Sequence, residues 1–373
     1  MRDTPTSIEI DLGAVRHNFQ VLKKLIPPTT KTVTVVKSNA YGHGAVPTAR
    51  ILQSQGADIF GVGTIDEGIQ LREAGIKRPI LILLGLVEGR GAELLRYQLT
   101  PVLYDLNTAR DLQSYLKGRG EKLDLHVKID TGMTRLGVTV EETPRFFEEL
   151  SKMDCLNPIG LITHLSDADK TDFAGKQIVA FEKARVEFQK RYPAALCHVA
   201  NSLATVDKRY GDYGAVRLGV VLYGAYPIPR QKKIVSLQPV MKWKSRIISI
   251  KKVPKGTFVS YGRTFLTKKP SRIGCVPVGY ADGYPRLLSN KASVLVRGQR
   301  VPVAGTVCMD MFMIDLTTLP SAQVGDEVVL LGPQGKGLIT AEEVGAWANT
   351  ISYEIFCKVA ERLPRHYIDP DRR

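Results

Sequence analysis

At 373 residues the chain exceeds what one ordinary core organises, so two domains are expected. Hydrophobic residues make up 44% and charged residues 24%, the balance of a globular protein in water, and no apolar run is long enough to span a bilayer. The net charge of +15 is spread through short clusters such as Lys23-Lys24, Lys251-Lys252 and Lys268-Lys269. It lacks the concentrated stripe and recognisable module of a nucleic-acid-binding protein, and fits a mildly basic surface that draws in small anions.

The start, Met1-Arg2-Asp3-Thr4, is polar and does not read as a signal peptide. Ser7 to Asp11 alternates apolar residues with acids and is open to pairing with the second domain instead of the first, because Leu12 to Leu25 then reads as a helix leading inward. Next comes a β-branched run, Thr32 to Val36, that ends in a lone lysine, Lys37, and a polar, glycine-rich turn. A lysine delivered by an apolar strand to the mouth of a loop is partly desolvated, which lowers its pKa and favours amine nucleophilicity and Schiff-base chemistry.

Val- and Ile-rich runs recur near 32–36, 58–63, 79–84, 100–103, 123–129, 158–163, 196–199 and 215–218. Helical periodicity lies between several of them, over 44–55, 64–75, 106–118, 141–153 and 174–192. Eight such strands alternating with helices predict an α/β fold, a parallel (β/α)8 TIM-type barrel over residues 1–230. Lys37, Arg135, His164, Ser202 and Arg217 then fall at or just after strand ends, the face on which such barrels carry active sites. After Tyr226-Pro-Ile-Pro the texture changes to short strands at 245–253, 273–280, 293–297, 301–306, 311–315 and 327–331, with a helical portion near 341–348. Residues 231–373 therefore read as a C-terminal mostly-β domain. Five cysteines, at 155, 197, 275, 308 and 357, are scattered without a Cys-x-x-Cys pair. That argues for reduced thiols in a cytosol and against a disulfide framework or a metal site.

Several segments, taken together and in register, resemble the alanine racemases, two-domain pyridoxal-phosphate enzymes of barrel fold. They are Val36-Lys37-Ser38-Asn39-Ala40-Tyr41-Gly42-His43-Gly44, Lys128-Ile-Asp-Thr-Gly-Met-Thr-Arg135-Leu-Gly, Thr163-His164-Leu, Ala200-Asn201-Ser202 and Arg217-Leu-Gly219-Val220-Val-Leu-Tyr223-Gly224. In the second domain they are Val259-Ser260-Tyr261-Gly262, Val278-Gly279-Tyr280-Ala281-Asp282-Gly283, Ala304 to Asp310 and Ser352-Tyr353-Glu354.

The resemblance implies a racemase interconverting L- and D-alanine, by two-base proton transfer on an adduct with pyridoxal 5′-phosphate, to supply D-alanine for peptidoglycan in the cytoplasm. It implies that Lys37 holds the cofactor and serves one face, and that Tyr261, from the partner in a homodimer with shared sites, serves the other. Arg217 would face the ring nitrogen. As a donor that keeps its proton, it would limit the ring's electron withdrawal and favour racemisation over transamination. His164 would bond Arg217. Tyr41, Asn201, Ser202, Gly219, Val220 and Tyr353 would hold the phosphate. Arg135 and the partner's Met309 would anchor the substrate carboxylate, with Lys128, carbamylated, orienting Arg135. Tyr261, Tyr280 and Tyr353 would narrow the entrance for a small amino acid. Neither metal, membrane nor nucleic acid enters this reading. The rivals are a serine or broad-spectrum racemase, a fold-related decarboxylase, which Arg217 and the Tyr261 segment disfavour, and a non-catalytic pyridoxal-phosphate carrier.

Overall fold

A computed structural model describes residues 5–86 and 89–369. Eight strands form one parallel sheet: Lys31–Val35, Ile59–Val62, Ile80–Ile82, Leu99–Leu103, Leu123–Asp130, Leu156–Ile162, Leu196–His198 and Ala215–Leu218. Seven pairings join them in order, with Ala215–Leu218 against Lys31–Val35. The seam between the last two strands is bridged where the Arg217 N–H donates to Ala200 O at 2.9 Å. The result is a nearly closed barrel wrapped by helices, in line with the alternation of its sequence.

The β-branched and aliphatic composition of these strands follows from burial on both faces. Val33, Ile59, Leu81, Val102, Ile162 and Ala215 pack together inside the barrel. The same inward phase carries His126, Lys128, His198 and Arg217, all buried, in register with Val102, Ile162, Ile162 and Val33 respectively. The lumen therefore sets polar side chains directly beside apolar ones.

Ser7–Asp11 does not enter the barrel. It pairs antiparallel with Met241–Arg246, in register Ser7 to Lys244, and parallel with Arg365–Ile368. Ile8 and Ile10 are fully buried there and Trp243 nearly so. Further strands Ser293–Val296, Gln299–Pro302 and Glu327–Gln334 extend this sheet, and Ser249–Val253, Ser271–Val276 and Phe312–Asp315 make a second one. The C-terminal portion is thus mostly strand. The expected single strand over 245–253 is two strands in different sheets, broken at Ile247 and Ile248. Among the short elements that escaped the sequence patterns are helices Gly91–Arg96 and Ser352–Lys358 and strand Arg365–Ile368. Each spans only four to seven residues, too few to display a period.

Candidate active site

Lys37 follows the first barrel strand directly and is half-buried. Immediately after it the backbone reverses hand. Ser38, Asn39, Ala40 and Tyr41 all have φ between 52° and 54°, one left-handed helical turn made without glycine. Each such residue costs roughly 1–2 kcal/mol, so the turn persists only because its surroundings hold it. The Glu67 carboxylate accepts from the Ser38 and Gly63 N–H groups, both at 2.6 Å, while Thr64 and Glu67 form a capping box on their own helix. Asn39 Oδ1 accepts from the Ala45 N–H at 2.8 Å. The Tyr41 ring sits between Tyr223 and Tyr353, with centroids 5.1 and 6.0 Å away.

The mouth of the barrel opens into a cleft of about 480 Å³. Ten of the residues singled out in the sequence line it: Lys37, Tyr41, Lys128, Arg135, His164, Asn201, Ser202, Arg217, Gly219 and Tyr353. Val220, adjacent to Gly219, is fully buried behind it. Burial and then the nearby Arg135 lower the Lys37 pKa, against smaller raising effects of Glu67 and Cys357. Lys128 is pulled down to about 8 by burial and by Arg217, Arg135 and Lys37, with only Asp130 acting the other way.

Arg217 is the best-held group in the cleft. Its Nη1 donates to His198 O at 3.0 Å and to His198 Nδ1 at 3.1 Å. Its Nη2 donates to Thr163 O (2.7 Å), Val199 O (3.0 Å) and His164 Nδ1 (3.3 Å). Its Nε makes no hydrogen bond among the described residues. Burial brings the guanidinium down to about 9, which leaves it charged at neutral pH. Burial, then Arg217 and the other cations, keep His164 neutral by lowering its pKa well below the usual value.

Opposite Lys37, Asn201 caps the short helix Ser202–Val206, accepting from Ala204 N–H at 3.1 Å. Ser202 Oγ accepts from Gly219 N–H at 2.8 Å. Gly219 has a steric reason: a Cβ there would stand 2.9 Å from Tyr41 Oη and 3.5 Å from Ser202 Oγ, closing the space between them. Arg135 is presented by a tight loop in which Asp130 Oδ1 accepts from Gly132 and Thr134 N–H groups.

Tyr261, Tyr280 and Met309 are not brought to this cleft by their own chain. They are 73%, 44% and 54% exposed, on the second domain. Backbone contacts tie them together: Tyr261 O accepts from Thr306 Oγ1 at 2.8 Å, and Tyr280 and Ala281 N–H groups donate to Cys308 O and Met309 O. Four residues of the site were not foreseen: Glu67, His126, His198 and Cys357. Glu67 was legible as the last member of Thr64-x-x-Glu67. His126 and His198 share the inward phase of Lys128 and Arg217 but meet across 72 residues of chain. Cys357 lies one helical turn after Tyr353.

Models of the alanine racemase N-terminal and C-terminal domains match residues 10–227 and 240–367. "Alanine racemase 2" of Caldanaerobacter subterraneus subsp. tengcongensis is 41% identical over 368 residues, 98% of this chain and 95% of that protein. The solved alanine racemase of Clostridium difficile 630 superposes with a TM-score of 0.91 at 36% identity, covering 99% of this chain and 97% of that one. An alanine racemase structure from Bartonella henselae, described as having covalently bound pyridoxal phosphate, gives a TM-score of 0.88 at 29% identity, over 97% and 99% of the two chains.

Proposed function

The chain belongs to the alanine racemase family and interconverts the enantiomers of alanine, and we propose that it does so with pyridoxal 5′-phosphate held through Lys37 in the barrel cleft. The observation that carries this reading is a lysine of lowered basicity sharing one cleft with an arginine whose Nε–H is unengaged among the described residues. The residues present fit the group. Gly219 leaves room between Tyr41 Oη and Ser202 Oγ for a phosphate, and the hydroxyls of Tyr41, Tyr353 and Ser202 can donate to it. The Bartonella henselae relative is described with this cofactor bound covalently.

When bound, pyridoxal phosphate draws electron density from the α-carbon of an attached amino acid, which makes its proton removable. Lys37 Nζ then takes or gives that proton on one face, and burial and Arg135, by lowering its pKa, favour the free amine that this role needs. Tyr261 of the partner subunit serves the other face through its phenolic oxygen. Arg217 stays protonated and donates from Nε, so no proton passes from it to the ring. His164, held neutral and accepting from Arg217, cannot supply one either. Arg135 offers a planar fork to the substrate carboxylate, beside the backbone of Met309 from the partner subunit. Tyr280 and Tyr261 would narrow the entrance to the size of alanine. All five cysteines are free, in keeping with a reducing cytoplasm, where D-alanine would feed peptidoglycan assembly. Among the described residues no helix is long and apolar enough to cross a membrane.

Purified protein should be yellow, and borohydride should trap the cofactor's mass on the peptide containing Lys37. A racemase assay across the common amino acids should favour alanine, and Lys37→Ala should lower it by more than about 10³-fold. Trapping at another lysine, or loss of substrate carboxylate instead of α-proton exchange, would defeat the reading.

Lys128 should be carbamylated. Its amine lies among three cations, and a carbamate would place an anion there to orient Arg135. The neutral amine attacks carbon dioxide, forming the N–C bond and releasing a proton, so occupancy should fall as pH drops below about 8. Protein equilibrated with ¹³C-bicarbonate should show a carbamate resonance that Lys128→Ala removes. A plain ammonium with chloride or a carboxylate beside it in a crystal would refute this.

A further inference from the structure

Two histidines in the barrel lumen carry no proton and touch no substrate in the chemistry described above. His126, on Leu123–Asp130, and His198, on Leu196–His198, are 3% and 0% exposed. His126 Nδ1 lies 2.9 Å from His198 Nε2, and His198 Nδ1 lies 3.1 Å from Arg217 Nη1. Most barrel lumens fill such positions with branched aliphatic residues. A buried imidazole pair forfeits hydration and asks for a reason.

The donors in this chain can be assigned without ambiguity. Arginine only donates, so His198 Nδ1 must accept. A neutral His198 then carries its proton on Nε2 and donates it to His126 Nδ1. His126 in turn must be neutral and protonated on Nε2. A charged form of either ring would set donor against donor beside a guanidinium. Burial lowers the pKa of both rings, with Arg217 adding to it, so the neutral chain is also the electrostatically preferred one.

The barrel makes room for this arrangement. His126 pairs in register with Gly160 of the neighbouring strand. A Cβ at Gly160 would stand 2.3 Å from His126 Nδ1 and Cε1, so any other residue there would displace the ring. The missing side chain on one strand is the space for the ring on the next.

We propose that His126 is a positioning residue: by accepting from His198 it fixes the tautomer that lets His198 accept from Arg217, and so sets the guanidinium with its Nε–H free for the cleft. This rests on the functional reading above, in which that donor meets the cofactor ring. With both terminal nitrogens of Arg217 committed to the lumen, rotation of the guanidinium would cost several hydrogen bonds at once. Loss of the His126 acceptor lets His198 shift its proton to Nδ1, where it opposes Arg217 and loosens the plane.

Two measurements test this. In full-length holoprotein labelled with ¹⁵N-histidine, both rings should appear as neutral Nε2–H tautomers from about pH 6 to 9. An Nδ1–H tautomer or a charged ring at either position overturns the proposal, whatever the variants do. The second compares His126→Asn, whose amide oxygen can replace Nδ1, with His126→Leu, which fills space without an acceptor. Leucine should lower kcat about 10-fold with little change in the KM for alanine, and should move the pH at which the bound cofactor's absorption changes. Asparagine should restore most of both. Equal behaviour of the two variants, whether both active or both impaired, would show that the acceptor is not what matters. Wild-type protein without cofactor absorption or racemase activity would sink the functional reading itself. Active wild-type protein with the wrong tautomers would sink this inference alone.

Discussion

Lys37→Ala protein and Tyr261→Ala protein will each be inactive alone, and will regain about a quarter of wild-type racemase activity once their subunits have exchanged. The expectation rests on where the two groups lie. Lys37 lines the barrel cleft, whereas Tyr261 stands 73% exposed on the second domain and does not line that cleft. A phenol needed on the far face of the substrate must then come from another copy. In a two-fold dimer each site takes its lysine from one subunit and its tyrosine from the other. Random exchange makes half the dimers mixed, and each mixed dimer has one intact site of two, which gives the quarter. Each single variant loses a proton carrier worth about 10²–10⁴-fold in rate. Activity assays during titration of one variant with the other provide the measurement. A mixture that stays as inactive as its components would rule out shared sites.

Acid should unfold the protein steeply. Four of its six histidines are held neutral by burial: His43 is pulled down to about 3, His126 to about 4, and His164 and His198 well below the usual 6.5. Each has a folded pKa below its unfolded one, so between the two the unfolded chain binds the extra proton. Stability from these groups is complete above about pH 6.5 and is lost as pH falls through the folded values. Each group contributes up to about 1.4 kcal/mol per pH unit, and four together roughly 5 kcal/mol per unit. Against a total of about 5–15 kcal/mol, cooperative unfolding is expected between roughly pH 4 and 5. Denaturant midpoints measured across pH give the number of protons taken up on unfolding. A value of about three to four from pH 6 down to pH 5 is expected, and fewer than two would mean the rings are not buried as described.

The barrel was legible because burial on both faces forces its strands into dense Val, Ile and Leu runs, and Lys37 stood out as the charge that ends one of them. The second domain was less so, because strands such as Ser249–Val253 are half exposed and their edges are set by pairing with distant partners. Within the cleft, residues announced by a local motif (Arg135 after Asp130-Thr-Gly, Ser202 after Asn201) came through. His126 and His198 did not, since an isolated histidine in a strand carries no mark of its partner until the sheet closes. Nor does the sequence mark the reversal of hand at Ser38 to Tyr41, where three of the four residue types, Ser, Ala and Tyr, have no leaning toward that conformation.

That reversal ties the reactive amine to the integrity of the entire chain. The roughly 3–6 kcal/mol that Ser38, Ala40 and Tyr41 cost in that conformation is met from both halves of the protein. Glu67 grips the turn from a barrel helix, while Arg365 Nε donates to Gly42 O at 2.9 Å and the Tyr353 ring leans on Tyr41 from beyond the barrel. A barrel cut free of its companion would keep its strands and lose the aim of its lysine.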